Sequence, residues 1–308
     1  MLPFKFIIKN FYLNIVIKKL TFHNINGDKK INLIKKIIYL FYFFLEIFLE
    51  KKINGNLYAN NKLLKEFLNF LKIKNYKRLI NVKSPVRILS DYYLYIFLKS
   101  NFNKNKKITI LDVGCGKGQY SVYFKNYFEN LTYFGFDTKI SPDWQSLKNK
   151  KVNFFVYNIG ENRNHKIKKI IKRVDLIFSV SVFEHIKNDL KSYIHLIKNY
   201  PTAKHLHIVP GSYSFLNYLQ HGYRRYNIYT IKKLQNYLNE FKKNIKTTKI
   251  GGNLALYEYF DYYKRYTKKK HILSFINKKS KILKAKELVL NLINDNKKSY
   301  SIFYALEF

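Results

Sequence analysis

Cysteine is almost absent from this sequence, and acidic residues are scarce. The only cysteine, Cys115, excludes an internal disulfide framework, and no His/Cys cluster has the spacing of zinc ligands, so we predict no metal site. Lysine and arginine number 58 against 19 acidic residues, which gives a formal net charge of +39. Such a balance is typical of proteins that bind nucleic acid or anionic membranes.

The composition of the basic residues weakens that interpretation. There are 51 lysines and 7 arginines, and three consecutive lysines occur only at residues 268–270. Asn, Ile, Tyr and Phe are also abundant, and their codons are rich in A and T, like those of lysine. A genome biased towards A and T therefore explains the charge without a polyanionic partner. We discount nucleic acid as a partner and keep it as an alternative.

No hydrophobic run is long enough to cross a bilayer. The most apolar tract, residues 37–49, has 13 residues and is interrupted by Glu46, whereas a span takes about 20 apolar residues. Lysines interrupt the first apolar run every few residues, so we expect no cleavable signal and a cytoplasmic protein. Residues 31–51 combine aromatic side chains with flanking lysines. Two roles stay open for them: burial against the rest of the protein, or peripheral contact with the inner face of a membrane.

The segment ITILDVGCGKGQYS, residues 108–121, joins a short apolar run to a glycine-rich loop. Residues 108–111 predict a buried strand, and helical character follows the loop. A loop of this kind presents backbone N–H groups to a ligand, and its glycines permit close approach. The pattern predicts a nucleoside site, with a glycine turn that holds no ligand as the alternative. The residues predicted to bind are Asp112, Gly114, Cys115, Gly116 and Gly118.

The position of the acid distinguishes among nucleosides. A dinucleotide fingerprint reads GxGxxG, whereas this loop reads GxGxG with Asp112 two residues before the first glycine. An acid at that point suits a cation better than a pyrophosphate. Lys117 is followed by Gly118 and not by the Ser or Thr of a P-loop. The pattern resembles motif I of the class I methyltransferases, which implies S-adenosylmethionine as the cofactor, with Asp112 near its methionine part.

Three positions after the loop fit the same resemblance. Asp137 follows a predicted strand at residues 131–136, where a carboxylate can accept hydrogen bonds from both ribose hydroxyls. A third strand, residues 152–157, leads to Asn158, which either contacts the adenine edge or is an ordinary turn residue. A fourth strand at residues 174–180 carries Ser179, which the resemblance places near the cofactor.

The segment SVSVFEHI, which continues the fourth strand, is the first candidate for the acceptor side. By resemblance it brings Ser181, Glu184 and His185 to the reaction centre. The unperturbed pKa of a histidine suits a base near neutrality, so His185 is the predicted catalytic residue. A histidine at a helix start is also commonly a structural hydrogen-bonder, and that alternative stays open.

The segment HGYRRYN, which begins at His221, is the second candidate. A similar H-x-RRY recurs in bacterial small-molecule and sugar-type methyltransferases, and His221 is a further candidate base. Guanidinium groups bind oxyanions bidentately, so Tyr223, Arg224 and Arg225 are predicted to hold the acceptor. For at least one arginine, an ion pair with an acid is the favoured alternative. A helix over residues 230–241 is predicted to follow, with Thr230 as its N-cap.

Two features that are missing from the sequence limit the classes of methyl acceptor. The fourth strand is not followed by the Pro-Pro-aromatic turn of enzymes that methylate exocyclic amines, and Cys115 lies in the glycine loop rather than where a C5-cytosine enzyme needs its nucleophile. The predicted function is therefore methyl transfer to a small-molecule or glycan acceptor, with oxygen favoured, in cell-envelope polysaccharide biosynthesis. An RNA methyltransferase and a non-catalytic scaffold of the same fold are the alternatives.

The resemblance implies an α/β fold: a Rossmann-like, mostly parallel sheet of seven strands with an antiparallel last strand and helices on both faces. Residues 1–100 are predicted as a helical N-terminal extension, with helices at 30–51, 61–73 and 86–100. Residues 101–308 are predicted as the methyltransferase domain. It includes a helical insertion near residues 253–298 and a final strand at residues 300–308.

Overall fold

The fold was analysed in a computed structural model. It describes residues 25–26, 28–30, 32–49, 57, 61–71, 85–161, 171–212, 222–252, 254–255, 290–291 and 303–308. The predicted insertion therefore lies almost wholly outside the described residues. In the part of the chain that is described, no helix is long and apolar enough to cross a membrane.

Seven strands form one sheet in the order β3-β2-β1-β4-β5-β7-β6. All neighbours pair in parallel except β7, which runs antiparallel to both β5 and β6. The predicted fold class, including the antiparallel last strand, is confirmed. The strands are β1 Ile108–Val113, β2 Leu131–Asp137, β3 Val152–Val156, β4 Leu176–Val180, β5 Lys204–Pro210, β6 Lys246–Ile250 and β7 Phe303–Glu307.

Helices cover both faces of this sheet, and their apolar side chains form two core layers. One layer joins α2 and α3 to Ile110 of β1 and Phe178 of β4, and the other joins α6 and α7 to Leu111 and Ile177 of the same two strands. Central strands buried on both faces explain why their sequences are nearly continuous apolar runs. The helices are α1 Leu33–Leu49, α2 Asn61–Leu71, α3 Pro85–Asn101, α4 Gln119–Tyr127, α5 Asp143–Leu147, α6 Asp189–Asn199 and α7 Ile228–Asn239.

The three predicted N-terminal helices are present with shifted ends. Leu64, Phe67 and Leu68 of α2 recur at helical spacing and are buried together with Leu89 and Tyr92 of α3. Both helices thus pack in the same core layer as the sheet. The division of the chain at residue 100 stays a prediction.

Two local predictions were wrong. Asp112 does not follow β1 but lies within it, opposite Gly135 of β2. The N-cap of α7 is Asn227 rather than Thr230, because the Asn227 side chain accepts hydrogen bonds from the N–H groups of Tyr229 and Thr230. Asparagine is as good an N-cap as any residue. The hydroxyl of Thr230 is buried and donates to the same Asn227 oxygen at 3.1 Å.

The strand order reverses between β1 and β4, because the chain proceeds outward from β1 to β3 and then returns to the other side of β1. Ligands of open α/β sheets bind beyond the carboxyl ends of the strands at such a switch point. The fold therefore directs attention to the segments that follow β1, β2, β3 and β4.

Candidate active site

A cavity of about 910 Å³ lies at these carboxyl ends. It is bounded by the segments that follow β1 to β4, by Tyr223, and by a short N-terminal turn. The lining residues are Asn26, Asp28, Lys29, Val113, Gly114, Phe136, Asp137, Thr138, Lys139, Tyr157, Asn158, Ile159, Gly160, Ser181, Val182, His185, Ile186, Lys187, Asn188 and Tyr223. Six predicted site residues are thus brought together, namely Gly114, Asp137, Asn158, Ser181, His185 and Tyr223.

The glycine loop turns sharply between β1 and α4. The N–H groups of Gly114 and Cys115 both donate to the Phe136 carbonyl, at 2.8 and 3.0 Å, which ties the loop to β2. Gly114, Gly116 and Gly118 all have positive φ, between 54° and 77°, a region that side chains rarely adopt. These contacts explain the glycine spacing.

The three glycines differ in what surrounds them. A Cβ at Gly114 would stand 2.4 Å from Val182, and one at Gly118 would stand 2.6 Å from the Phe154 ring, whereas one at Gly116 would meet no atom within 4 Å. Close packing therefore requires glycine at the first and last positions. At Gly116 the space beside the backbone is open, which suits a loop that receives a ligand.

Asp137 is connected to this loop. Its Oδ2 accepts the Gly116 N–H at 2.8 Å, and its Oδ1 accepts the Thr138 N–H at 2.7 Å. The Thr138 hydroxyl also donates to Oδ1, at 3.3 Å. Because each carboxylate oxygen has two acceptor positions, Oδ2 can still accept a hydroxyl proton, and Oδ1 can do so when the Thr138 hydroxyl turns away. Trp144, the only tryptophan in the sequence, donates its indole N–H to the Gly116 carbonyl at 2.7 Å and stacks on Phe154. Sequence analysis did not identify Trp144 as a support of the loop.

Two predicted cofactor residues lie beneath the loop and do not line the cavity. Asp112 is 1% exposed and its Oδ2 accepts the Tyr133 hydroxyl at 2.5 Å. Burial raises the pKa of Asp112 to about 7, although the Tyr133 hydrogen bond opposes the shift. Cys115 is also buried, and burial together with Asp112 raises its thiol pKa. Both residues support the loop from the α4 side of the sheet.

Asn158 lies at the cavity in an exposed position after β3. Its Oδ1 accepts the Gly160 N–H at 3.0 Å, which is an Asx turn. The amide NH₂ is not part of that bond. The oxygen therefore shapes the turn, as the second interpretation expects. The residue also borders the cavity, and its contact with the adenine edge stays a prediction.

The two serines at the end of β4, Ser179 and Ser181, lie in different environments. Ser179 is fully buried and bonded to Nδ1 of His207 at 2.8 Å, on the side of the sheet covered by α6, and it is not among the lining residues. Ser181 lines the cavity with a φ of 56°. A serine in the left-handed region is uncommon, and such conformations cluster at functional sites.

His185 ends a 3₁₀ turn, Phe183–His185, and lines the cavity. Its Nδ1 is 2.6 Å from Oδ2 of Asp28, and its Nε2 is 3.7 Å from Oε1 of Glu184. Burial acts to lower the pKa of His185, but the Asp28 hydrogen bond and the charge of Glu184 outweigh it, so the pKa is raised. Asp28 has no neighbouring motif in the sequence that would identify it.

Glu184 is fully buried and supports the turn rather than lining the cavity. Its backbone carbonyl accepts the Tyr223 N–H at 2.6 Å. Gly222 packs so closely that an added Cβ would stand 2.5 Å from this carbonyl. The backbone contact therefore brings Tyr223 beside His185.

The two arginines are buried. Arg224 pairs with Asp189 at 2.7 Å and donates to the Lys187 carbonyl at 2.6 Å, while Tyr226 donates to the same carboxylate. Arg225 is fully buried and donates to the Arg224 carbonyl. The alternative of an ion pair with an acid is thus realised by Arg224. Neither arginine lines the cavity, and His221 lies outside the described residues.

The site fits S-adenosylmethionine in three respects: the open space at Gly116, the remaining acceptor capacity of Asp137, and a cavity large enough for the donor and a small acceptor. Ligand sites commonly measure about 300–1,000 Å³. Gly114, Gly116, Asp137 and Asn158 are the residues positioned to hold it. When bound, the cofactor supplies an activated methyl group.

Comparison with known proteins agrees with this geometry. The profile of a family described as a methyltransferase domain matches residues 85–241, about half of the 308-residue chain. A ubiquinone biosynthesis O-methyltransferase of Rickettsia bellii is 29% identical over 125 residues. That alignment covers 37% of this chain, and the chain spans only 45% of the length of that relative.

Similar solved structures are more distant in sequence. The plantazolicin methyltransferase BamL, in complex with a triazolic desmethylPZN analog and SAH, is 15% identical with a TM-score of 0.48, covering 80% of this chain and 95% of that one. Phosphoethanolamine N-methyltransferase 2 of Haemonchus contortus is 17% identical with a TM-score of 0.45, covering 78% and 59%. On the match across residues 85–241, the chain belongs to the class I S-adenosylmethionine-dependent methyltransferases.

Proposed function

We propose that this protein transfers a methyl group from S-adenosylmethionine to an oxygen of a small-molecule or glycan acceptor, of the kind used in cell-envelope polysaccharides. The observation that carries the proposal is that one cavity is lined both by Gly114 and Asp137 and by His185 and Tyr223. A donor and an acceptor can therefore meet in a single cavity. Gly114, Gly116, Asp137 and Asn158 hold the donor in this proposal.

The chain's own groups then have three tasks. The cavity walls align the acceptor oxygen with the methyl group and exclude water, which is the main requirement when the methyl group is already activated. His185 takes the hydroxyl proton as the carbon–oxygen bond forms. Tyr223 and the polar residues Asn26, Lys29 and Asn188 border the same cavity and offer hydrogen bonds to an acceptor rich in oxygen.

The similarity to an O-methyltransferase of R. bellii supports oxygen as the acceptor atom. The volume of the cavity, about 910 Å³, favours a small acceptor over a folded RNA. The formal net charge of +39 remains the one observation in favour of RNA.

A label-transfer experiment tests the proposal. The protein is incubated with methyl-labelled S-adenosylmethionine and, separately, with catechols, sugar nucleotides, lipid-linked sugars and unmodified RNA, and products are identified by mass spectrometry. We expect an O-methylated small product from the wild type and none from Asp137→Ala. Labelled RNA without any labelled small product would overturn the proposal, as would failure to bind the donor.

We further propose that α1 contacts an anionic membrane surface. Its exposed side chains Leu33, Ile34, Ile37, Ile38 and Phe41 form one apolar stripe, with exposed fractions from 38 to 71%. At 100° per residue these positions cover about 140° of the helix circumference. The opposite side is anchored to the body, because Tyr39 is buried and its hydroxyl donates to the Gly222 carbonyl.

The charged residues beside this apolar stripe indicate what kind of surface it contacts. Lys29, Lys30, Lys35 and Lys36 border it, in a chain of net charge +39. Apolar residues flanked by lysines suit the interface of an anionic bilayer. Because Asp28 and Lys29 also line the cavity, a membrane-bound α1 would hold the cavity close to the lipid surface.

Vesicle flotation tests this contact. We expect the protein to float with vesicles that contain phosphatidylglycerol and not with pure phosphatidylcholine, and to lose flotation in the double variant Ile34→Ser/Phe41→Ser. Ile140→Ser, at a residue that is 75% exposed elsewhere on the surface, is the matched control. Equal flotation of both variants would overturn the membrane proposal, and concentration-dependent dimerisation lost in the double variant would replace it with self-association.

A further inference from the structure

Asp28 stands 157 positions before His185 in the chain, yet the two side chains meet in the cavity. Their Oδ2 and Nδ1 atoms are 2.6 Å apart, and each side chain is about one third exposed. This contact joins the N-terminal part of the chain to the segment after β4. Asp28 lies outside residues 85–241, which the family profile matches, whereas His185 lies within them.

The N-terminal turn holds Asp28 in place. The Asp28 N–H donates to Oδ1 of Asn26 at 2.9 Å, and the Lys29 N–H donates to the Asn26 carbonyl at 3.3 Å. Shortly afterwards Asn32 caps α1, because its Oδ1 accepts the Lys35 N–H at 2.9 Å. Local hydrogen bonds therefore connect Asp28 and Lys29 to Asn26, and the helix that follows begins with its own cap.

A second contact anchors the same segment. The Tyr39 hydroxyl donates to the Gly222 carbonyl, and Gly222 packs against the carbonyl of Glu184, the residue before His185. The N-terminal segment thus reaches the Phe183–His185 turn at two points, Asp28 and Tyr39. Two attachments fix the position of Asp28 better than one surface ion pair would.

The two charged groups nearest the ring nitrogens of His185 are acidic. Asp28 faces Nδ1 and Glu184 faces Nε2, while Arg225 acts in the opposite sense. Lys29, Lys139, Lys187 and Asp137 line the same cavity. A carboxylate that accepts Nδ1–H orients the ring and stabilises the imidazolium that forms when the ring takes a proton.

We propose that Asp28 is a positioning residue for His185, so that the N-terminal segment completes the methyltransferase site. With Nδ1 bonded to Asp28, Nε2 is the ring nitrogen left to take the acceptor's proton, because Oε1 of Glu184 lies 3.7 Å from it and is not within hydrogen-bond distance. The carbon–oxygen bond forms as the carbon–sulfur bond breaks, and S-adenosylhomocysteine leaves with the electron pair of that bond. This role rests on the proposed function, but the coupling of Asp28 to His185 is measurable without an acceptor.

An NMR titration of histidine-labelled protein tests the coupling. The resonance missing from His185→Gln identifies the residue. We expect Asp28→Asn to lower its titration midpoint by about one pH unit or more, since a carboxylate within hydrogen-bond distance shifts a pKa by that amount. Two control variants should leave the midpoint unchanged. One is Glu129→Gln, an exposed acid-to-amide change just before β2, and the other is Lys30→Gln, in the same N-terminal segment as Asp28.

The pH profile of methyl transfer tests the role. Activity should rise with pH through the raised pKa of His185, because only the deprotonated ring accepts a proton. In Asp28→Asn this rise should move to lower pH while kcat falls about tenfold or more, with unchanged affinity for S-adenosylmethionine in calorimetry. Asp28→Glu should recover part of the activity.

Three results would overturn the proposal: an unchanged midpoint in Asp28→Asn, an unchanged pH profile, or full turnover in His185→Gln. Loss of donor affinity in Asp28→Asn would also contradict it, because the carboxylate would then act on the donor. Absence of methyl transfer by the wild type would instead count against the proposed function and leave the titration result standing.

Discussion

The cavity has two halves that are built in different ways. The donor half consists of the glycine loop and the ends of β2 and β3, and its contacts join residues about 20 positions apart, such as Gly116 and Asp137. The acceptor half joins the Phe183–His185 turn to Tyr223 and to Asp28, across up to 157 positions. Contacts in the donor half thus join residues that are close in sequence and are made largely by backbone groups. The acceptor half depends on pairs of side chains that are far apart in sequence.

This difference predicts different consequences of mutation. In the donor half, most contacts are made by N–H and carbonyl groups, so a substitution there should act chiefly on ligand binding. In the acceptor half, buried charges such as Asp189 hold the elements together. Substitutions there should act on stability as well.

The largest effect is expected from Arg224→Ala in the acceptor half. The change leaves Asp189, which is 1% exposed, without its guanidinium partner. Removing one partner of a buried pair costs about 3–5 kcal/mol. Urea unfolding should show this loss, whereas Arg173→Ala, which breaks an exposed pair with Asp175, should change stability by less than about 1 kcal/mol. Equal effects of the two variants would contradict the structural role of Arg224.

The next effect concerns donor binding. Asp137→Ala removes the carboxylate that orients the Gly116 N–H and that we propose to bind the ribose. Affinity for S-adenosylmethionine should fall at least 100-fold, about 3 kcal/mol, while the unfolding midpoint changes little. Asp143→Asn, at an exposed acid near the same loop, is the control for calorimetry. A drop of less than fivefold would remove Asp137 from the donor site.

A smaller effect on stability is expected to distinguish alanine substitutions at Gly116 and Gly118 of the glycine loop. Both have positive φ, so an alanine at either position costs about 1 kcal/mol of backbone strain. At Gly118 the added methyl group also meets the Phe154 ring, which is stacked on Trp144. Gly118→Ala should therefore be less stable than Gly116→Ala by about 1–3 kcal/mol, as measured by thermal unfolding. The reverse order would show that the loop packs differently.

The sequence predicted the glycine loop and the place of Asp137 because their signals are local. The spacing of the glycines follows from positive φ and tight packing, and Asp137 follows from the end of a strand. The position of Asp112 was also within reach, because alternation along β1 places it on the face of Ile108 and Ile110, away from the Val113 side that lines the cavity. Asp112 was assigned to the cofactor because it is an acid within a motif. The face of β1 that it occupies was not part of that assignment.

The acceptor half was predicted only in part, for physical reasons. The segment FEHI indicated His185, but no pattern near residue 28 indicates a partner for it. The adjacent arginines looked like an oxyanion clamp, yet Asp189 is an isolated acid in the sequence. The packing of α6 decides which of the two arginines pairs with a buried acid. The residues next to the arginines in the sequence do not.

The smallest predicted effect concerns buried histidines below the acceptor half. His205 and His207 are bonded to each other and fully enclosed, and burial lowers both pKa values, that of His207 to about 3. Below about pH 6.5 the unfolded chain therefore binds protons that the native state does not, and this contribution to stability is lost as the pH falls. Each histidine accounts for on the order of 1 kcal/mol per pH unit in that range.

Groups with raised pKa values, such as Asp112 and His185, act in the opposite sense, so a difference between variants isolates the effect. Between pH 7 and 5, His207→Gln should lose less stability than the wild type, by on the order of 1 kcal/mol per unit. Parallel stability curves for the two proteins would show that His207 is accessible to protons in the native state.

The central claim is that donor and acceptor meet in the cavity between Asp137 and His185. A crystal structure of the protein with S-adenosylhomocysteine tests this directly. The account predicts both ribose hydroxyls within hydrogen-bond distance of the Asp137 carboxylate, the ligand backbone against Gly116, and the sulfur directed to the side of the cavity that His185 and Tyr223 line. A ligand bound elsewhere, or one whose sulfur faces away from His185, would contradict it.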